Sequence, residues 1–173
     1  FDRYHFISIL ALNYKLSISG TLHVGLFKLE NSQFLSNQKL QITPGEAVVY
    51  DIHEDKIADL WFATQGGILF FYEGKFKAIK KPNGLKSQSV YSITEDPVDG
   101  IWVSNNFGVQ YFSDTELAKF KENPDQDFFL ASTLYNHEMG MPNSETNGLI
   151  FPAAIFDYSR KIWVPTVEGV GII

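Results

Sequence analysis

The chain has 173 residues, 45% of them hydrophobic and 20% charged, with a net charge of −6 and a pI near 5.1. That suffices for one domain with a good core, and it excludes a disordered chain. The acidic balance argues against a nucleic-acid partner, and the lysines between Lys75 and Lys81 read as a solvated outer strand. There is no cysteine, which removes disulfides, thiol nucleophiles and thiolate metal sites. No apolar run approaches the ~20 residues of a membrane-spanning helix.

In chain order, the first recognisable unit is SGTLHVGLFKLE, Ser19 to Glu30. It is a weak copy of the later units, with His23 at a position taken there by Trp, Ser17 at one taken by Asp, and Gly25 at a small-residue position. Three clear copies come next. Asp55, Asp96 and Asp157 each lie six residues before a tryptophan, Trp61, Trp102 and Trp163. Gly67, Gly108 and Gly169 each lie six residues after it. Apolar neighbours match: Leu60, Ile101 and Ile162 before the Trp; Phe62, Val103 and Val164 after it. Ile52, Ile93 and Phe156 are apolar positions of the strand before each turn.

Each unit reads as short strands. Ser89–Ile93 has strand character, a tight turn follows, then Ile101–Val103 and, after a Gly turn, Val109–Phe112. In the preceding unit, Glu73-Gly74 separates two strand runs as a hairpin. Four strands in a period of about 40 residues is the content of a β-propeller blade. The expected fold is therefore all-β: about four blades of four antiparallel strands, units near 1–36, 37–79, 80–130 and 131–173. Trp102 and Trp163 stand 61 residues apart, so an insert of about 20 residues is present. Ser113 and Glu116 form a capping box, and Leu117 and Phe120 share one helical face, predicting a helix near 113–122 that ends at Asn123-Pro124. Both termini fall in or beside apolar runs, so the chain is expected to be part of something longer.

These residues resemble the two-component regulator propeller repeat, I-x-E-D-x3-G-x-W followed by G. Ile93, Glu95, Asp96, Gly100, Trp102 and Gly108 match one copy. Ile52, Glu54, Asp55, Trp61 and Gly67 match another, with Asp59 where glycine is usual. Residues 139–173 resemble the terminal blade of such propellers through Glu145, Asn147, Gly148, Pro152, Ala153, Trp163, Pro165, Thr166 and Gly169, with Ser159-Arg160 replacing the usual Asp-Gly. The resemblance covers nearly the whole chain, weakly before Val48. It implies the last blades of a larger, seven-bladed type of propeller in the periplasmic sensor region of a hybrid histidine kinase. It also implies an immunoglobulin-like domain after this chain, a membrane helix, a homodimeric full protein and kinase output elsewhere.

Glu95, Asp96 and Asp99 invite a calcium reading, but the EF-hand pattern needs an acid or amide at Pro97 and a Glu at Asn106. Only the first Asp is common to all three copies, as a turn explains. No metal and no cofactor are expected. The histidines, His5, His23, His53 and His137, form no HExxH, and neither G-x-S-x-G nor a phosphate loop occurs. No catalytic residue is assigned. The tryptophans are expected to pack the blade on its inner strand. Candidate ligand contacts are the residues that come after them, Gln65, Asn105, Asn106 and Glu168, with Asn143, Glu145 and Asn147; the ligand would be a small molecule or a glycan. The alternatives are a propeller lyase using His53 or His137, and an interaction scaffold of a secretion or assembly system.

Overall fold

The computed structural model describes residues 6–13, 16–21, 26–30, 33–39, 48–72, 75–122, 128–148 and 152–173. They form four antiparallel sheets, each a meander in chain order. The first sheet holds β1 (Phe6–Asn13), β2 (Leu16–Thr21), β3 (Leu26–Glu30) and β4 (Gln33–Lys39). The second holds β5 (Val49–Glu54), β6 (Leu60–Thr64), β7 (Gly67–Tyr72) and β8 (Lys75–Ile79). The third holds β9 (Ser92–Glu95), β10 (Ile101–Asn105), β11 (Gly108–Phe112) and β12 (Thr133–Tyr135). The fourth has three strands, β13 (Ile155–Phe156), β14 (Ile162–Thr166) and β15 (Gly169–Ile172). These are propeller blades. Neighbouring sheets meet chiefly through their first strands, β1 against β5 and β5 against β9, so the first strands are the inner ones.

The three tryptophans lie on the second strand of each sheet, not on the inner strand the sequence suggests. Period-2 alternation explains the packing. On β6, Trp61 and Ala63 face the third sheet and meet Val90, Ile93, Ile101 and Val103. Leu60 and Phe62, one residue out of phase, pack on the other face with Val49, Ile52 and Leu69. All of β6 is buried, as fits a strand covered on both sides. Trp102 repeats the arrangement one blade on, packed against Ile162, Val164 and Phe156 of the fourth sheet. Trp163 has no following blade here, and it is 39% exposed where Trp61 is 1% exposed.

Each aspartate of the repeat builds its turn with both carboxylate oxygens. Asp55 Oδ1 accepts the N–H groups of Ile57 and Asp59, and Oδ2 accepts the Trp61 indole N–H at 2.9 Å. Asp96 does the same with Val98, Asp99 and Trp102, and Asp157 with Ser159, Lys161 and Trp163. The fixed spacing from Asp to Trp is therefore the reach of one side-chain hydrogen bond across a hairpin. The turns differ in where the chain turns left-handed. The middle one uses Gly100 (φ 84°); the other two, which lack that glycine, use Ala58 (φ 66°) and Arg160 (φ 63°) one position earlier.

The insert forms α1 (Asp114–Glu122) between β11 and β12. Ser113 Oγ accepts the Glu116 N–H, but the Glu116 carboxylate does not return to Ser113 as a capping box would. It accepts the Ala131 N–H at 2.9 Å and pairs with Lys119. Leu117 and Phe120 are buried as expected, with Phe120 against Trp61, Phe70 and Phe128. An element of the third blade thus clamps the second. Because of the insert, the outer strand of the third blade is Thr133–Tyr135, in a segment the repeat spacing assigns to the last unit. Residues 89–91, read as strand, bridge two sheets instead: Val90 N donates to Thr64 O and Tyr91 N to Ser104 O.

Of the lysine run, Lys75 and Lys77 lie on β8, the outer strand of its sheet, whereas Lys80 and Lys81 lie beyond it, Lys81 opening a 3-10 turn. The link at 73–74 and the helix stop at 123–124 lie outside the described residues, as do His5, His23 and Gly25.

Candidate functional site

The hairpin tips after the tryptophan strands and the linkers that lead into each inner strand share one end of the blades. Hydrogen bonds stitch them together. Gln65 N donates to Val48 O, Ser89 Oγ to Gln65 O, Thr146 Oγ1 to Asn105 O, Val167 N to Glu145 O and Asn147 N to Pro165 O. The Asp turns lie at the opposite end of the same strands.

This placement gathers the sequence candidates onto one face. Gln65 and Asn106 occupy exposed positions in their hairpin turns, and Glu168 is exposed in the equivalent turn of the last blade. Asn143 Oδ1 caps the backbone of Glu145 at 2.8 Å, which leaves the Glu145 side chain exposed. Asn147 comes next in the same short segment. Asn105 differs. It is 0% exposed, and its Oδ1 fixes the turn by accepting the Phe107 N–H at 2.8 Å, so it is a turn residue and offers no surface to a ligand. Its Nδ2 finds no acceptor among the described residues. Thr64 and Thr166 hold the equivalent position and fix their turns with hydroxyls.

Two residues with no place in the Asp–Trp–Gly repeat complete the face. Tyr50 and Tyr91 stand at equivalent places, at the start of β5 and just before β9, with ring centroids 5.3 Å apart and nearly perpendicular. The Tyr91 hydroxyl donates to Asn106 Oδ1. Burial raises the Tyr91 pKa above its ordinary value, opposed by the Asn106 hydrogen bond and aided by the charge of Glu145. Burial and the neighbouring Tyr91 raise that of Tyr50. Both hydroxyls are therefore neutral donors at physiological pH. Gly148 lies against this ring: a Cβ there would fall 2.4 Å from Tyr91 Cδ1. A sequence signal for the pair exists. Val-Tyr-x-Ile occurs at Val49–Ile52 and again at Val90–Ile93, ending three residues before each turn Asp.

Between them in the chain, Asp51 is half-buried between two inner strands, where its Oδ2 accepts the Ile93 N–H at 3.1 Å and its Oδ1 the Ile52 N–H. Burial raises its pKa against these bonds. His53 Nε2 lies 3.9 Å from Glu95, which also pairs with Lys56 at 3.4 Å. His137 sits in a separate 3-10 turn with Nδ1 3.0 Å from Met141 O. The two histidines of the lyase reading are thus in different blades. The carboxylates of the calcium-like stretch are committed: Asp96 to its turn and Trp102, Asp99 to the Tyr111 hydroxyl and Asp114 N–H, Glu95 to Lys56. Among the described residues, no cluster of three His, Asp or Glu is placed to hold a metal.

No family model matches the sequence, and no curated protein matches it. Solved structures do. The extracellular domain of BT3049 from B. thetaiotaomicron, described as a hybrid two-component system, aligns over 96% of this chain at 18% identity and a TM-score of 0.74. That of BT4673 from the same organism aligns over 98% at 19% identity and a TM-score of 0.76. The chain has the blade fold of these extracellular domains. PorZ, a surface component of the type-IX secretion system of Porphyromonas gingivalis, aligns over 94% at 17% identity with a TM-score of 0.63. The chain spans only 21% to 24% of the length of these structures. Among the described residues no helix is long and apolar enough to cross a membrane.

Proposed function

We propose that this chain is a non-catalytic segment of a periplasmic sensor propeller that binds a small molecule or glycan at the tip-and-linker face. The carrying observation is the convergence there of groups from three blades: Tyr50 from the second, Tyr91 and Asn106 from the third, Glu145 from the segment leading into the fourth. Aromatic faces beside neutral hydroxyl, amide and carboxylate groups suit a neutral polyol, which offers apolar C–H faces and hydroxyl donors and acceptors. The likeness to extracellular domains of two-component systems supports the sensor role and the periplasmic setting. In the full protein, a homodimer with an immunoglobulin-like domain after this segment, the ligand would have to favour one dimer arrangement over another to bias output across the membrane.

The test is a thermal-shift screen of the intact extracellular domain against a panel of oligosaccharides, followed by calorimetry. A hit should be lost in Asn106→Ala and Glu145→Ala, both exposed positions. Hits unaffected by either change, or none at all, would end this reading. A scaffold role is the second reading, favoured by the likeness to PorZ. It expects co-purification with envelope proteins that survives both substitutions.

A further inference from the structure

The opposite end of the blades carries a cleft of about 330 Å³ between the Asp55 and Asp96 turns, closed on one side by α1. Its lining includes the buried apolar residues Trp61, Ile101 and Leu117. Two further lining residues stand out into solvent, Ile57 at 71% exposure and Val98 at 64%. Both occupy the same turn position, two residues after the turn Asp. The turn uses only their backbone N–H groups, so it does not require apolar side chains there. Two adjacent blades therefore present apolar tips beside an apolar cleft.

The charges around it are one-sided. In the lining Asp55, Glu95 and Asp114 outnumber Lys56 and Lys121, and both lysines are already engaged. Lys121 bridges Asp55 and Asp59 at 3.3 and 2.6 Å, over the Trp61 and Phe70 rings. Lys56 holds Glu95 and the Asp96 carbonyl. The Asp114 side chain makes no bond among the described residues and is exposed. An anionic ligand is disfavoured here, and a cationic partner gains from the field.

We propose that this cleft docks a basic, extended protein segment that inserts one large apolar side chain between Ile57 and Val98. The apolar floor with a charged rim is the anatomy of an interface anchor pocket. The site is at the far end of the strands from the ligand face, so either can fail without the other.

The probe is a labelled peptide with tryptophan flanked by lysines, titrated into the intact chain by fluorescence anisotropy and by amide NMR. The Ile57, Val98 and Leu117 amides should shift. Ile57→Ser and Val98→Ser should each weaken binding by about fivefold or more, and Asp114→Lys should weaken it and flatten its salt dependence. These three side chains are exposed, and near-UV circular dichroism checks that the variants fold. Several results overturn the proposal: no shift at these amides in the wild type, equal affinity for a glutamate-flanked peptide, or equal affinity when glycine replaces the tryptophan. So does a concentration-dependent dimer abolished by Val98→Ser, which would give the cleft to a second copy through its own lysine strand.

Discussion

Each repeat aspartate divides its work between two oxygens, one for the turn and one for the indole. Burial raises the pKa of Asp96, but the Trp102 indole, the Val98 and Asp99 N–H groups and the charge of Lys56 outweigh it, and the net shift is downward. A depressed folded pKa gives stability that is present above the ordinary carboxyl range and lost as pH falls through the folded value, below about pH 4. Asp96→Asn should lower stability by about 1–2 kcal/mol at neutral pH, a range set by one charge-assisted bond at a partly exposed site. It should also flatten the acid limb of the stability curve, read by urea titration between pH 3 and 7. A second residue-scale prediction concerns Ala58. An L-residue held left-handed is strained by about 1–2 kcal/mol, so Ala58→Gly should raise the denaturation midpoint, with part of the gain offset by unfolded-state entropy. The opposite change, Gly67→Ala, would put a Cβ 2.4 Å from the Ile79 carbonyl oxygen and should destabilise strongly.

At the scale of elements, α1 leaves its own blade to pack on the preceding one. Phe120 fills the space over Trp61 and Phe70, and Lys121 closes over the same rings. Phe120→Ala should cost about 3–5 kcal/mol and should raise the accessibility of Trp61 to quencher, which a change local to the helix would not. The helix itself is legible in the sequence, because a cap residue and two apolar positions three apart suffice to predict it. Its docking is not. Nothing in Leu117 or Phe120 says that they meet the preceding blade, and the partner that takes Glu116 away from its box is a backbone N–H fifteen residues on. The same division holds for the face. Gln65, Asn106 and Glu168 emerge from counting past each tryptophan, since equivalent positions in successive blades share an end, whereas Glu145 comes from the segment that resembles a terminal blade. Asn105 falls in the same count and is yet wholly interior, because a strand's last residue and a turn's first differ by one. Tyr50 and Tyr91 are written in a repeated Val-Tyr-x-Ile, but only the structure shows that the linker around Tyr91 carries its ring to Asn106.

For the whole molecule, the repeat alone gives blades, their order and roughly their number, because three tryptophans at fixed distances from Asp and Gly can only be copies of one unit. It places the tryptophan one strand too far inward, since spacing along a chain does not say which strand borders the axis. The packing has a direction. The Trp61 face is covered by the third blade and the Trp102 face by the fourth, whereas Trp163, Val170 and Ile172 of the fourth are half exposed. In this chain Trp163 should therefore dominate quenching by acrylamide. In a longer protein with a fifth blade, that component should vanish; its persistence would show that the face has another use.

That one-way covering carries a consequence for how the protein is made. A ribosome delivers the early blades first, yet each can seal its tryptophan only when the following one emerges. The second blade thus spends the time of about forty further residues with an aromatic surface open, and the third about sixty. The clamp from α1 lengthens the wait for the second blade, because Phe120 and Lys121 come later still.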